Sequence, residues 1–317
     1  MSPFSREKLA STLFERYEGN PILSSENWPY PINAVFNPAA VMIDGEVMLL
    51  NRVEELRGFS HLTCARSKDG LSEWVIDEVP TMKPDQATKE EKWGLEDPRI
   101  VWLEEQKQYA ITYVSFSEGG PVVSLAITKN FKTFARLGGL LPPEDKDACL
   151  FPRRFNGRFA LIHRPIVRGE AHIWISLSPD LKHWGDHRVL LKTRTAYWDG
   201  ARIGLACQPI ELPEGWLLLY HGVRTTTAGQ IYRIGMALLD IDDPCRVLRR
   251  SEEWVLGPEA DYERIGDVSD VTFVTGAVIK ENKLYAYYGA ADDKVAVATA
   301  DIDRIREYIM ASPEVKE

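Results

Sequence analysis

Cysteine is scarce in this sequence of 317 residues, and the four cysteines are far apart. Cys64, Cys149, Cys207 and Cys245 show no C-x-x-C spacing, which argues against a disulfide framework and against a zinc site. Scattered thiols of this kind are typical of a reducing compartment. We therefore expect the protein to be cytoplasmic.

Long apolar runs are also missing. No stretch approaches the roughly 20 apolar residues that a membrane-spanning helix requires. The first eight residues are too polar to form a secretory signal. The sequence therefore predicts no membrane segment and no membrane partner.

Basic residues are in the minority, with 38 Lys and Arg against 47 Asp and Glu and a formal net charge of −9. A chain of this charge is poorly suited to a non-specific grip on nucleic acid or on an anionic membrane. With 44% hydrophobic and 27% charged residues, the composition is that of a globular protein. We expect no nucleic-acid partner.

Several familiar catalytic signatures are absent. The chain has no G-x-G-x-x-G that opens a helix, no G-x-x-x-x-G-K-[ST], no H-E-x-x-H and no G-x-S-x-G. Its six histidines show no compact ligand spacing. The sequence therefore predicts neither a metal site nor an organic cofactor.

Turn-forming and aromatic residues are plentiful, and they recur in a pattern. Five segments share one outline: a strand, a tight turn, a second strand, then a polar turn and a further strand. Asp44-Gly45 and Asn156-Gly157 are strong hairpin signals within it. The turn centres fall about 60 residues apart, near Gly45, Gln106, Gly157, Gly215 and Asn282.

Five four-stranded repeats predict an all-β fold. Blades arranged around an axis bury both faces of small sheets and leave few edges. We therefore expect residues 1–317 to form a single five-bladed β-propeller, with a β-sandwich as the alternative. Apolar residues at helical spacing predict short terminal helices over about 5–17 and 301–310. These helices pack on the propeller or on a neighbouring subunit, so a homo-oligomer is possible.

Polar residues recur at one end of equivalent strands in the five repeats. In a propeller the first strand of each blade faces the central channel, so these side chains are expected to converge there. They are Asn33, Asn37 and Arg52; Asp97, Arg99 and Tyr113; Lys146, Asp147, His163 and Arg164; Arg202, Tyr220 and His221; and Asp270, Tyr288 and Asp292.

Two features of this set indicate chemistry. Lys146, Arg164 and Arg202 have no equal cluster of carboxylates beside them in the sequence. They predict an anion site, since arginine forms bidentate contacts and lysine adds a point charge. Asp97 precedes a proline that restricts the backbone. A carboxyl held near low-dielectric walls keeps a proton near neutral pH and acts as a general acid; a turn cap or a salt bridge to Arg99 is the alternative.

The order and spacing of seven short motifs resemble glycoside hydrolase family 130, whose five-bladed propellers include mannoside phosphorylases. The likeness covers roughly residues 19–300. The motifs are Asn33-Ala-Val-Phe-Asn37, Leu49-Leu-Asn-Arg52, Leu95-Glu-Asp-Pro-Arg99, Leu150-Phe-Pro, Leu161-Ile-His-Arg-Pro165, Tyr220-His-Gly-Val223 and Tyr288-Gly-Ala-Ala-Asp292.

The resemblance implies a role for each matching residue. Asp97 matches the single catalytic acid. The positions of basic phosphate ligands are occupied by Lys146, Arg164 and Arg202, with His221 beside them. Residues that hold a mannosyl unit in the −1 subsite are matched by Asn37, Arg52 and Asp292. From the channel set we add four further candidates for substrate binding: Tyr113, His163, Tyr220 and Asp270.

The chain also departs from the family pattern. Arg153-Arg154 follows Phe-Pro where Glu-Lys is frequent. Arg202 replaces a common lysine, and Lys146 replaces a common arginine. These last two exchanges keep the charge without guaranteeing the geometry. Because family members that hydrolyse β-1,2-mannosides have lost basic residues here, the three cations favour phosphorolysis.

The resemblance thus implies an inverting phosphorylase that uses inorganic phosphate as co-substrate on a β-mannoside oligosaccharide. The products are α-mannose 1-phosphate and a shortened sugar. The modest length favours manno-oligosaccharides, with a β-1,2 linkage slightly ahead of β-1,4. One alternative is a β-mannoside hydrolase, whose general base would be Asp147 or Asp270. The other is a non-catalytic propeller that binds a sugar or a protein.

Overall fold

The computed structural model describes residues 3–315, and their regular structure is almost entirely β-sheet. The prediction of an all-β fold is confirmed. No helix among these residues is long and apolar enough to cross a membrane. Helical structure consists of α1 (Pro3–Ser11), α2 (Asp261–Arg264), α3 (Ile302–Ala311) and two 3₁₀ turns at Ser25–Asn27 and Lys89–Glu91.

The first two repeats share one eight-stranded sheet. Each is an antiparallel unit, and a single parallel bridge between Ser60 and Gly94 joins them. Unit 1 consists of β2 (Ala34–Ile43), β3 (Glu46–Glu54), β4 (Ser60–Ser67) and β5 (Val75–Ile76). Unit 2 consists of β6 (Gly94–Leu103), β7 (Gln108–Ser117), β8 (Gly120–Thr128) and β9 (Ala135–Gly139).

The remaining repeats form three separate sheets. Unit 3 consists of β10 (Asp145–Leu150), β11 (Phe159–Val167), β12 (Glu170–Ala171), β13 (Ile173–Ser178) and β14 (Gly185–Leu191). Unit 4 consists of β15 (Arg202–Leu205), β16 (Ile210–Leu212), β17 (Gly215–Thr226), β18 (Gly229–Leu239) and β19 (Val247–Arg250). Unit 5 consists of β20 (Thr272–Lys280), β21 (Lys283–Ala290), β22 (Lys294–Asp301) and β1 (Glu15–Arg16).

The N-terminal segment completes the last unit. Glu15 pairs with Thr299 of β22, so β1 is the outermost strand of unit 5. The predicted helix over 5–17 is therefore wrong in its second half, since α1 ends at Ser11. Leu13 is buried in an apolar cluster with residues of units 4 and 5. The open edge of β22 offers backbone hydrogen bonds that hold residues 15 and 16 in strand conformation.

The hairpin predictions are confirmed at both strong signals. Asp44 and Gly45 have φ of 50° and 84°, and Asn156 and Gly157 have φ of 48° and 77°. Positive φ at both central residues is the signature of the type I′ turn, whose twist matches that of the flanking strands. Asn and Asp tolerate this conformation better than other residues with a side chain.

Neighbouring units pack through apolar side chains. Between units 3 and 4, the ring of Phe151 lies edge-on to Trp216 at 5.1 Å, the favoured geometry for aromatic pairs. Each unit contacts the next along the chain, and β20 of unit 5 contacts β2 of unit 1. Helix α3 buries Ile305 and Tyr308 and contacts α1. An oligomer contact through these helices stays a prediction.

Candidate active site

Matching irregularities in three first strands create the site. In units 1, 2 and 3 the pairing of the first and second strands shifts register, as in a β-bulge. The bulges place Asn37, Asp97 and Asp147 in the left-handed region, with φ of 47°, 46° and 52°. A bulge re-aims its side chains, and Asn and Asp accept the left-handed backbone. Three equivalent positions thus deliver polar groups at the same end of the sheets.

Asp97 is the centre of a buried network. Its Oδ1 accepts hydrogen bonds from Asn37 Nδ2 at 2.9 Å and from Arg52 Nη1 at 3.1 Å. The carboxylate has no ion pair with Arg99 among residues 3–315, because Arg99 Nη1 donates instead to the backbone carbonyl of Asp97 at 2.8 Å. Within the same part of the chain, Asp97 Oδ2 makes no hydrogen bond. This oxygen is available to carry a proton.

The expectation that burial keeps Asp97 protonated is wrong. Burial raises the pKa of Asp97, but the charges of Arg52, Lys146 and Arg99 outweigh it and hold the pKa below the ordinary value. The hydrogen bond from Asn37 acts in the same direction. Asp97 is therefore ionised until something offsets the surrounding positive charge.

Arg52 links Asp97 to a second carboxylate. Its Nη2 donates to Glu96 Oε1 at 3.0 Å, and its Nε donates to Ser60 Oγ at 3.1 Å. The sequence analysis did not assign Glu96 to the site. Its place directly before Asp97 in a first strand was the available signal.

Asp292 adds a carboxyl of unusual acidity to this end of the site. Burial raises the pKa of Asp292 to about 6. The charge of Arg52 opposes this rise, and the charge of Asp97 adds to it. No hydrogen bond to its carboxyl group occurs within residues 3–315. Two carboxyls that share a pair of cations disfavour simultaneous ionisation, so Asp292 keeps its proton more readily than Asp97 does.

Two cations face each other across the first strand pair of unit 3. Lys146 on β10 lies directly opposite Arg164 on β11. Arg164 Nε donates to Asp147 Oδ2 at 2.7 Å, whereas its Nη atoms make no hydrogen bond in the described part of the chain. Lys146 Nζ has neither a hydrogen bond nor an ion pair there. Both side chains therefore keep donors that a ligand can use.

Asp147 is enclosed by positive charge. Burial raises its pKa, but Arg164 and the neighbouring Arg99 hold the pKa of Asp147 well below its usual range. Gly204 has no room for a side chain, because a Cβ would lie 2.3 Å from Asp147 Oδ2. The sequence shows no equal cluster of carboxylates beside the three cations, yet Arg164 does pair with a carboxylate. That carboxylate belongs to Asp147, which lies in a bulge that the sequence pattern did not reveal.

His221 lies at the same end in a neutral form. Burial lowers the pKa of His221 to about 3, although the Asp147 carboxylate opposes this shift. Its Nε2 lies 3.6 Å from Asp147 Oδ2, and its Nδ1 has no hydrogen-bond partner among the described residues. The rings of Tyr232 and Phe273 lie 6.0 Å and 4.7 Å from the imidazole.

Arg202 and Tyr232 share one amide. Arg202 Nη2 donates to Gln230 Oε1 at 2.9 Å, and the Tyr232 hydroxyl lies 3.4 Å from the same oxygen. Burial raises the pKa of Tyr232, and the charges of Arg202 and Asp147 are among the other influences on it. The sequence analysis missed Tyr232 because it lies on a third strand.

Three of the four predicted sugar contacts have other partners. Tyr113 donates its hydroxyl hydrogen to Glu91, and Tyr220 donates its own to Asp199. His163 Nδ1 lies 2.6 Å from Asp145 Oδ2. The carboxylate of Asp270 makes no hydrogen bond within residues 3–315. Sugar binding by these four residues stays a prediction.

Metal ligands do not cluster in the part of the chain that the structure describes. No group of three or more His, Cys, Asp or Glu side chains there is arranged to hold a metal ion. All four cysteines are free thiols. The site is instead an array of five cations and four carboxylates around a neutral imidazole: Arg52, Arg99, Lys146, Arg164 and Arg202 with Glu96, Asp97, Asp147 and Asp292.

Known proteins resemble this chain over most of its length. Residues 7–310 match the glycoside hydrolase family 130 model, described as β-1,4-mannooligosaccharide phosphorylase. The chain is 39% identical to a β-1,2-mannobiose phosphorylase from Listeria innocua, over 79% of this chain and 71% of that protein. It is 33% identical to a β-1,4-mannooligosaccharide phosphorylase from Ruminococcus albus, over 95% and 92%.

Solved structures agree with these relationships. A β-1,2-mannobiose phosphorylase from Listeria innocua, in complex with β-1,2-mannobiose, superposes with a TM-score of 0.86 at 32% identity. The match covers 94% of this chain and 99% of that one. The chain therefore belongs to glycoside hydrolase family 130.

Proposed function

We propose that this enzyme catalyses the inverting phosphorolysis of β-mannosides by inorganic phosphate, which gives α-mannose 1-phosphate and a shortened sugar. Membership of a family described by its phosphorylases supports this reaction class. The residues support it independently, since the site offers one free carboxyl oxygen on Asp97 and a set of incompletely used cations.

The observation that carries the proposal is the pairing of Lys146 with Arg164. Like charges directly opposite each other on neighbouring strands destabilise a sheet, and here both side chains retain unused donors. A phosphate between them would convert this repulsion into two charge-assisted contacts. Arg202 and the imidazole of His221 complete a cradle that suits a tetrahedral anion better than a neutral sugar.

The proposed scaffold is a single five-bladed propeller. Units that contact their neighbours in chain order, with unit 5 against unit 1, are what ring closure requires. A last unit that takes its outer strand from the N-terminus supports the same arrangement, since it ties the two ends of the chain together. The bulges of units 1, 2 and 3 would then face the central axis.

Two groups of residues share the work in the proposed reaction: one holds the phosphate and the other protonates the leaving oxygen. A phosphate oxygen, held by Lys146, Arg164 and Arg202, attacks the anomeric carbon as the bond to the leaving oxygen breaks. The proton on Asp97 Oδ2 passes to that leaving oxygen, directly or through the 3-hydroxyl of the mannosyl unit. An ordinary inverting glycosidase also needs a base to activate water, but phosphate is already ionised.

Bound phosphate would also favour the protonated form of Asp97. Lys146 is one of the cations that hold the pKa of Asp97 down. A bound dianion cancels part of that field, so the pKa of Asp97 rises when the co-substrate arrives. The acid then takes up its proton more readily when its nucleophile is present.

A hydrolase is less well supported. It would need a carboxylate base, and Asp147 and Asp270 were the candidates. Asp147 is engaged by Arg164 at 2.7 Å and has a depressed pKa, which makes it a weak base. No described contact connects Asp270 with Asp97.

The preferred linkage in this proposal is β-1,2. The relative at 39% identity and the superposed structure at TM-score 0.86 both carry the name β-1,2-mannobiose phosphorylase. The β-1,4-acting relative is more distant, at 33% identity. The mannosyl unit itself would be held by Asn37, Arg52 and Asp292.

One assay tests the reaction. The protein is incubated with β-1,2-mannobiose or β-1,4-mannobiose, with and without phosphate, and mannose 1-phosphate and free mannose are quantified. Mannose 1-phosphate formed only with phosphate is the expected result. Mannose released at the same rate without phosphate would establish a hydrolase, and no turnover of any mannoside would point to a binding protein.

A further inference from the structure

Three units contain the same buried cluster outside the catalytic network. A tyrosine on the second strand donates its hydroxyl hydrogen to a carboxylate, and an arginine on the outermost strand pairs with that carboxylate. We call each cluster a clamp. The clamps are Tyr113, Glu91 and Arg136 in unit 2; Tyr220, Asp199 and Arg250 in unit 4; and Tyr288, Glu263 and Arg16 in unit 5.

The strand positions of the clamps are equivalent. The outer arginine is paired in register with an alanine of the third strand in all three units, namely Ala126, Ala237 and Ala298. Because alanine has a short side chain, the guanidinium can cross the face of the sheet to reach the carboxylate. The carboxylate always comes from the segment that leads into the first strand. Each clamp therefore ties that segment to the rest of its unit.

The clamp of unit 4 is the most heavily built. Asp199 is fully buried, and its Oδ2 accepts hydrogen bonds from Tyr220 at 2.9 Å and Arg250 at 2.8 Å. A second arginine, Arg194, adds Nη2 at 2.7 Å. The indole of Trp198 stacks on the Tyr220 ring at 5.7 Å. Removal of any member leaves a buried charge or hydroxyl without its partner.

This clamp adjoins residues of the proposed phosphate site on two strands. Asp199 stands three residues before Arg202, and the intervening Ala201 donates its backbone N–H to Val223 at 3.0 Å. Tyr220 immediately precedes His221 on β17. A Cβ on Gly222 would lie 2.4 Å from the Asp199 Cβ, so the segment packs tightly on that strand.

We propose that Asp199 is the positioning residue of the phosphate end of the site, acting through Arg202 and His221 without touching either substrate. Tyr220 then serves the phosphate end through Asp199 and does not contact the sugar. This inference rests on the proposed phosphorolysis. It predicts that the clamp of unit 4 affects the apparent KM for phosphate and that the clamps of units 2 and 5 do not.

The counterparts provide matched controls. Glu263 is fully buried like Asp199, accepts from Tyr288 at 2.7 Å and from Arg16 Nε at 2.8 Å, but leads into a strand without a phosphate cation. Asp199→Asn and Tyr220→Phe should raise the apparent KM for phosphate about tenfold and change the KM for the sugar less than twofold. Glu263→Gln and Tyr288→Phe should lower Tm similarly and leave the phosphate KM unchanged.

Titration of each variant with inorganic phosphate alone, followed by calorimetry, gives a readout independent of turnover. Weaker binding confined to the unit 4 variants supports the proposal. Equal losses in both pairs of variants, or a rise in the sugar KM for Tyr220→Phe, would overturn it. If Asp199→Asn does not fold, Tyr220→Phe decides, because it keeps Asp199 and both arginines. A wild-type enzyme that ignores phosphate would refute the proposed function instead.

Discussion

Replacement of Arg164 by alanine tests the phosphate site most directly. Arg164 Nε lies 2.7 Å from Asp147 Oδ2, and the side chains of both residues are buried. Without the guanidinium, the one ion pair that Asp147 keeps with an arginine among the described residues is that with Arg99 at 4.0 Å. The His221 ring at 3.6 Å is neutral because burial lowers its pKa. The variant therefore loses a phosphate ligand and leaves a buried carboxylate poorly compensated.

Both losses can be estimated. Removing one partner of a buried ion pair costs about 3–5 kcal/mol of folding free energy. A hydrogen bond to a charged group is worth about 1.5–3 kcal/mol, which predicts a rise in the phosphate KM of roughly 10- to 100-fold. The KM for the sugar should stay within about twofold, because Arg164 has no contact with Asn37, Arg52 or Asp97 among the described residues.

A double-mutant cycle separates the two effects. Arg164→Ala, Asp147→Ala and the double variant are compared by denaturant unfolding and by initial rates at saturating sugar. The double variant should be about 1–3 kcal/mol more stable than the sum of the single changes predicts. Arg153→Ala is the control, since that arginine lies half-exposed over the Phe155 ring at 4.8 Å and should not affect the phosphate KM.

Two outcomes would refute this reasoning. A rise in the sugar KM with an unchanged phosphate KM would move Arg164 to the sugar end of the site. Additive stability losses in the cycle would show that Arg164 and Asp147 do not act as a pair. The first result would remove the support that the cross-strand cations give to a phosphate site.

Three further changes have distinct expected results. Asp97→Asn should lower kcat by at least about 100-fold with an unchanged Tm, and calorimetry in buffers of different ionisation heat should show less proton uptake on phosphate binding than in the wild type; equal uptake would contradict a rise in the pKa of Asp97. Burial raises the pKa of Asp292 to about 6, so the stability that its neutral form contributes is present below about pH 4 and lost as the pH rises through 6. Asp292→Asn should therefore stabilise the fold by at most roughly 3 kcal/mol at pH 8 and hardly at pH 4, measured by denaturant unfolding without phosphate. Gly204→Ala should lower the free energy of unfolding by about 1–3 kcal/mol, because the new Cβ would lie 2.3 Å from atoms of Asp147 and His221. An unchanged Tm would show that these side chains can move apart at little cost.

Local sequence signals predicted the strands and the two strongest hairpin turns well. Asp44-Gly45 and Asn156-Gly157 carry their turn type in their own backbone preferences. Asp97 and Asp147 were grouped because they recur at one end of equivalent strands, and both lie at bulges with positive φ. Such features depend on a residue and its near neighbours, and a single sequence contains that information.

Long-range charge pairing was not predictable in the same way. Tyr113 and Tyr220 look like free polar groups in the sequence, yet their hydroxyls donate hydrogen bonds to carboxylates of preceding segments. The pairing of Arg52 with Glu96 and the place of Tyr232 depend on how strands from different units meet. The protonation of Asp97 also depends on such long-range pairing, because burial and the cations of other strands shift its pKa in opposite directions.

The arrangement of charge explains why one carboxyl can serve as an acid in so basic a setting. Five cations and four carboxylates give the site a small positive excess, and that excess keeps Asp97 ionised. A phosphate dianion reverses the sign of the excess, and a proton on a carboxyl then restores the balance at least cost. Asp97 can hold that proton on Oδ2, the oxygen without a hydrogen bond among the described residues. The co-substrate in this proposal thus supplies both the nucleophile and the field that protonates the acid, which is why no second catalytic carboxylate is needed.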